Sequence, residues 1–159
     1  MDWLALLGFG LACAGAASTG ALFQPGEWYR RIAKPDWTPP DWLFPIAWTI
    51  LYALIAYSGW RVSLTGDPAA AAGLGFWAAQ LVFNATWSPV FFGLRRPGPA
   101  LAILVAMWGS ILLTIGTFAA VDLIAAILLV PYLVWVSFAG ALNWWIWRNN
   151  SPEDFGATA

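Results

Sequence analysis

The chain has 159 residues, of which 61% are apolar and 9% are charged, and its net charge is −1. Soluble domains are about 45–50% apolar and about 25% charged, so a chain this short could not cover so much apolar surface in water. The composition indicates an integral membrane protein with the lipid bilayer as its solvent. The absence of a basic stripe excludes a nucleic-acid-binding protein.

Five uncharged stretches are each long enough to cross the hydrocarbon core of a bilayer. They cover residues 3–23, 43–60, 74–94, 99–120 and 123–147. Each must be helical, because peptide groups facing lipid need partners within their own segment. The sequence therefore predicts an all-α integral membrane protein, a five-transmembrane-helix bundle. It forms one domain over residues 1–150, and the polar tail at 151–159 is expected to fray.

Turn and cap residues mark the ends of these stretches. Asp122 is placed to cap the N-terminus of the fifth helix, and Asp41 to cap the second. Pro89 and Pro131 lie within the third and fifth stretches, where proline is expected to kink a helix.

The basic residues predict the orientation. One side of the membrane carries a single arginine, Arg61. The other side carries six basic residues: Arg30, Arg31, Lys34, Arg95, Arg96 and Arg148. The positive-inside rule therefore places the N-terminus outside and the C-terminus in the cytoplasm, and this bias fits a bacterial cell membrane.

Residue types that carry conventional chemistry are missing from the spans. The chain has no histidine, and no Asp, Glu, Lys or Arg lies in the interior of any span. Proton relays, ion-coupled pumps and voltage sensors are built from such residues. A metal site made by the protein and a hydrolytic triad also lack their components, so neither is expected.

Aromatic residues dominate what remains. Most of the 13 tryptophans lie near predicted span ends, which is typical of an interfacial aromatic belt. Others lie deeper and share helix faces with amides or hydroxyls: Trp48 and Tyr52; Trp77, Gln80, Asn84, Trp87 and Ser88; Tyr132, Trp135, Ala139, Leu142 and Asn143. The buried amides predict either hydrogen bonds between helices or contacts to a ligand. Together the three faces have the makeup of a site for a large, flat, apolar molecule.

The segment 24–42 is the one long connection between spans. It contains four prolines and several aromatic and charged residues. Long loops in compact proteins are often lids or binding loops. The alternative is an interfacial loop that anchors the protein to lipid head groups.

Three motifs in the chain resemble those of the TspO/MBR family, the translocator proteins once called peripheral benzodiazepine receptors. The first is KPDWTPPDW at 34–42, continuing to Pro45, Trp48 and Leu51-Tyr52. The second is Gln80-Leu81 with Asn84, Trp87, Ser88-Pro89 and Phe91-Phe92-Gly93. The third is Pro131-Tyr132-Leu133 with Trp135, Phe138-Ala139 and Leu142-Asn143. The likeness covers residues 3–150.

The resemblance implies a five-helix bundle, usually a homodimer, with a pocket closed by the loop at 24–42. Family members bind porphyrins and other tetrapyrroles and benzodiazepine-type ligands, and eukaryotic members bind cholesterol. The residues implied to line the pocket here are Tyr29, Trp37, Trp48, Tyr52, Asn84, Trp87, Trp135, Ala139 and Leu142. No covalent cofactor or metal is implied, and a porphyrin would be the ligand.

Three functions remain open at this point. The first is a membrane receptor or sensor for porphyrins. The second is light- and oxygen-dependent porphyrin degradation, as reported for some bacterial members, with Trp48 and Trp135 as redox partners of the pigment. The third is transport of porphyrin or lipid, against which the lack of an inverted repeat and of charge within the spans counts.

Overall fold

The computed structural model describes residues 2–156, and over that range the chain is helical with no strand. The helices are α1 (Trp3–Leu22), α2 (Glu27–Arg31), α3 (Leu43–Ser63), α4 (Ala70–Ser88), α5 (Pro97–Ala119), α6 (Leu123–Ile127) and α7 (Val130–Asn149). A π-helical turn, Pro89–Gly93, continues α4, and a 3-10 turn, Pro152–Phe155, follows α7. The predicted all-α class is confirmed.

Within residues 2–156, four segments are long and apolar enough to cross a membrane. They are α1, α3, α5 and the segment Leu123–Asn149, which combines α6 and α7. Helix α4 has 19 residues but does not reach the same hydropathy, because the amides of Gln80 and Asn84 lower it. The predicted count of five spans is therefore not confirmed.

Helix α4 lies at the centre of the bundle, packed on α5 and α1, while α3 packs on α1 and α5 on α7. Two glycines allow this close packing. A Cβ on Gly59 would lie 2.8 Å from the rings of Phe9 and Trp77, and one on Gly73 would lie 2.8 Å from the ring of Phe118. A larger residue at either position would require these rings to shift.

The predicted caps had different outcomes. Asp122 caps α6 as expected, since its Oδ1 accepts a hydrogen bond from the backbone N–H of Ala125 at 3.1 Å. The prediction for Asp41 is wrong, because Trp42 is the N-cap of α3 and no side-chain hydrogen bond caps that helix. The sequence reading missed Asp2, which caps α1 by accepting from Ala5 at 3.2 Å.

Both prolines interrupt their helices. Helix α6 ends at Ile127, four residues before Pro131, and α7 begins at Val130. A proline ring clashes with the carbonyl four residues earlier and cannot donate to it, which explains a break at that position. At Pro89, α4 ends and the chain widens into the π-helical turn, where Leu94 N–H donates to Pro89 O at 2.8 Å.

The C-terminal tail differs from expectation. Residues 151–156 do not fray but form a turn, in which Asp154 Oδ2 accepts from both the N–H (2.7 Å) and the hydroxyl (2.8 Å) of Ser151. The remainder of the predicted tail, 157–159, lies outside the described residues.

Arg95, directly after the π-helical turn, has a left-handed backbone with φ of 55°. Side chains with a Cβ are strained there, and glycine is the usual residue just beyond a helix end. We expect Arg95→Gly to stabilise the fold by about 1 kcal/mol, measured as a raised melting temperature in detergent. Leu94→Gly is the control, because Leu94 is exposed and has an ordinary φ of −85°, so glycine there should destabilise. A lower melting temperature for Arg95→Gly would contradict the prediction.

Candidate functional site

A chain of hydrogen bonds joins α3, α4 and α7 in the middle of the bundle. The Tyr52 hydroxyl donates to Asn84 Oδ1 at 2.6 Å, and Asn84 Nδ2 donates to the Tyr132 hydroxyl at 2.9 Å. Tyr132 then donates to Gln80 Oε1 at 2.8 Å, and Gln80 Nε2 donates to the backbone carbonyl of Trp77 at 2.8 Å. The interhelical role considered for these amides is therefore present in the structure. It satisfies polar groups that have no access to water.

Trp48 lies against this chain of hydrogen bonds. Its ring centroid is 5.4 Å from that of Tyr52 and 6.2 Å from that of Tyr132, and its side chain is half-buried. One face of the predicted site is therefore an indole backed by two phenols.

A second aromatic group lies along α7 and reaches the loop. The Trp135 ring is 5.7 Å from that of Phe44 and 6.0 Å from that of Phe138. Trp37, from the loop, contacts Phe138 at 5.4 Å and is 48% exposed. Trp37 thus approaches the helix that carries Trp135 and Ala139, without contacting Trp135 directly.

A third group lies where the loop meets the π-helical turn. The Tyr29 ring is 5.3 Å from Phe92 and 6.1 Å from Phe91, and Phe91 stacks on Trp87 at 4.9 Å. Leu142 is buried in the same cluster. The loop therefore covers the end of the bundle with buried side chains, as a lid requires.

Burial affects the chemistry of Tyr29. Removal from water, with a smaller effect from the carboxylate of Asp41, raises the pKa of Tyr29 to about 12. The ammonium group of Lys34 lies 4.8 Å from the Tyr29 ring and donates to its carbonyl at 2.6 Å. Tyr29 is therefore a neutral hydroxyl at physiological pH, on a loop segment held by local contacts.

The structure distributes the predicted residues over adjoining aromatic groups. Trp48, Tyr52 and Asn84 lie around Tyr132, and Tyr29, from the loop, lies in one cluster with Trp87 and Leu142. The sequence reading did not assign Phe44, Phe91, Phe92 or Phe138 to the site, although the run Phe91-Phe92 was part of a motif. Among residues 2–156, no group of His, Cys, Asp or Glu could hold a metal ion.

The centre of the bundle is closely packed. A narrow void between α4, α5 and α7, beside Gln80, Thr114 and Tyr132, has no room for a water molecule. A ligand of porphyrin size needs several hundred Å³, so this void cannot hold one.

Three of the four tryptophans predicted to line the site have indole N–H groups without a protein acceptor within residues 2–156. Trp77 donates to Ile55 O at 2.9 Å and Trp87 donates to Asn143 Oδ1 at 3.1 Å. Within residues 2–156, no protein acceptor is present for the exposed Trp37 or for the two half-buried side chains, Trp48 and Trp135. These two side chains combine a flat apolar face with a free donor, the combination that binds large aromatic molecules with polar edges.

The fold and these aromatic groups define a helical membrane protein with a tryptophan-rich interior covered by a loop. The model of the TspO/MBR family matches residues 5–148, so the chain belongs to this family and is an integral membrane protein.

Relatives resemble the chain over most of their length. Protein CrtK of Rhodobacter capsulatus is 46% identical over 145 residues, which cover 90% of this chain and 91% of that protein. The tryptophan-rich sensory protein of Cereibacter sphaeroides is 46% identical over 151 residues, 94% of each chain. The translocator protein of Homo sapiens is 37% identical over 154 residues, 93% of this chain and 91% of that protein.

Proposed function

We propose that this chain is a membrane sensor or receptor that binds porphyrins, such as protoporphyrin IX, and related large apolar ligands between α3, α4 and α7. The carrying observation is the pair of half-buried tryptophans on α3 and α7, Trp48 and Trp135, whose indole N–H groups have no protein acceptor within residues 2–156. The name of the tryptophan-rich sensory protein supports a sensory role.

The chemistry of the site suits a flat macrocycle. Indole and phenol faces stack on a conjugated ring, and the indole N–H groups can donate to its polar edge. The chain has no histidine, so the porphyrin would be held by stacking, shape and hydrogen bonds, without iron ligation by an imidazole. Because the aromatic groups now pack on one another, binding would proceed with separation of the loop from the bundle end.

The membrane arrangement we propose has five spans, with α4 as the additional one. Its two amides are buried and both bond to Tyr132 on α7, which lowers the cost of placing them in the bilayer. The N-terminus would lie outside and the C-terminus in the cytoplasm, following the charge bias. A homodimer is part of the same proposal, by family membership.

The test is a titration of the purified protein with protoporphyrin IX, followed by tryptophan quenching. Saturable quenching is expected for the wild type. The Trp48→Leu/Trp135→Leu variant should bind about 30-fold more weakly, since two aromatic contacts at about 1 kcal/mol each are removed. Trp3→Leu/Trp144→Leu is the matched control, because it removes two exposed tryptophans. Equal affinities for the two double variants would contradict the assigned site.

Light-dependent porphyrin degradation is the second candidate function. The observation that favours it is the aromatic series Trp37, Phe138, Trp135 and Phe44, with successive ring centroids 5.4–6.0 Å apart. A bound pigment excited by light would lie in contact with an oxidisable indole. Illumination in air of the saturated complex separates the functions, since degradation gives a new absorption band that a protein-free control lacks, whereas a receptor gives no such band.

A further inference from the structure

The C-terminal end of α7 is bonded to the loop through one side chain. Asn150 Oδ1 accepts a hydrogen bond from the Ala33 N–H at 2.8 Å, and Asn150 Nδ2 donates to the Ala33 carbonyl at 3.0 Å. The same Nδ2 donates to the Ile146 carbonyl at 3.0 Å, in the last turn of α7. Asn150 therefore joins the loop to α7 by using both ends of its amide.

The turn that follows makes a second contact with the loop. Phe155 packs edge-on against the buried ring of Trp28, with centroids 6.1 Å apart. The turn is held in shape by the hydrogen bonds between Ser151 and Asp154 described above. A polar and an apolar contact thus act on the same short helix, α2, and the residues just after it.

Other hydrogen bonds of the loop are local. Lys34 bonds to Tyr29 O and Ile32 O, and Thr38 bonds to Pro35 O. Among residues 2–156, every hydrogen bond from the loop to a helix that is not its neighbour in sequence involves Asn150. Helix α7 also carries the predicted site residues Trp135, Ala139 and Leu142. The loop is therefore bonded to a helix that lines the candidate site.

We propose that Asn150 and Phe155 form a clasp that holds the loop closed over the bundle end. In this arrangement Asn150 is a positioning residue, and release of the clasp sets how fast ligands enter and leave. The consequence for ligands rests on the proposed porphyrin-binding function, while the closure of the loop does not.

Asn150→Asp is the variant that tests the clasp. The carboxylate keeps the size of the amide but loses the donor and faces the carbonyls of Ala33 and Ile146. Asn149→Asp is the matched control, because it places the same charge one residue earlier and Asn149 Nδ2 donates only to Trp145 O within its own helix. Phe155→Ala tests the apolar contact separately.

The first measurement is hydrogen exchange in lipid nanodiscs. Amides at 28–34 should exchange roughly tenfold faster in Asn150→Asp than in the wild type or Asn149→Asp, which corresponds to about 1.4 kcal/mol for the lost bonds. Amides at 64–69, between α3 and α4 at the other end of the bundle, should not change. Phe155→Ala should produce a smaller increase at 28–34.

The second measurement is the dissociation rate of protoporphyrin IX, which should rise in Asn150→Asp by a similar factor. Unchanged exchange at 28–34 would overturn the clasp, and so would equal acceleration at 64–69, which would mean a general loosening of the bundle. Faster exchange at 28–34, in a protein whose wild type binds no porphyrin, would support the clasp and overturn the proposed ligand.

Discussion

Tyr132→Phe is expected to cost about 2–4 kcal/mol of stability, although it removes a single oxygen atom. The Tyr132 hydroxyl, fully buried, accepts from Asn84 and donates to Gln80. Without this hydroxyl, the Asn84 side-chain N–H loses its acceptor and the Gln80 side-chain carbonyl loses its donor, and water does not reach either group. Each orphaned group costs about 1–3 kcal/mol. The measurement is the melting temperature of the purified protein in detergent.

Tyr52→Phe is the control for this prediction. The Tyr52 hydroxyl has one partner, Asn84 Oδ1, and the side chain is only half-buried, so its loss should cost less than that of Tyr132. A Tyr132→Phe variant with the wild-type melting temperature would mean that the amides find other partners, and the central hydrogen-bond chain would then contribute little to stability.

Trp135→Phe is expected to abolish light-driven loss of protoporphyrin absorbance, if degradation is an activity of this chain, while much of the binding remains. Phenylalanine keeps an aromatic face toward Phe44 and Phe138 but is far harder to oxidise than indole. The measurement follows the porphyrin spectrum during illumination in air, at porphyrin concentrations that saturate each variant.

The control for Trp135→Phe is Trp108→Phe, because Trp108 lies on α5 and donates to Ser137 Oγ at 2.9 Å, outside the aromatic series. It should retain the wild-type rate of porphyrin loss. Degradation that continues unchanged in Trp135→Phe would remove this residue from the mechanism and leave Trp48 as the redox partner to test.

The sequence by itself determined the class of this protein. An apolar, almost uncharged chain needs lipid as its solvent. In lipid, a helix satisfies the backbone hydrogen bonds of a single segment, so composition and the length of the apolar runs were sufficient to predict an all-α membrane protein. The cap at Asp122 and the breaks at Pro89 and Pro131 were also predictable, because caps and prolines act on residues within four positions in the chain. The motifs indicated the family for the same reason, since they are contiguous patterns.

Only the tertiary structure decided how the site is assembled. Whether Asn84 bonds to another helix depends on Tyr52 and Tyr132, which are 32 and 48 residues away. Hydropathy could not show that the amides of α4 are buried at the centre of the bundle, because their burial depends on the helices that pack around α4. The turn after α7 had no local signal either, nor did the bonds between Asn150 and Ala33, which are 117 residues apart. Such contacts depend on how distant segments pack, and no local sequence pattern predicts that packing.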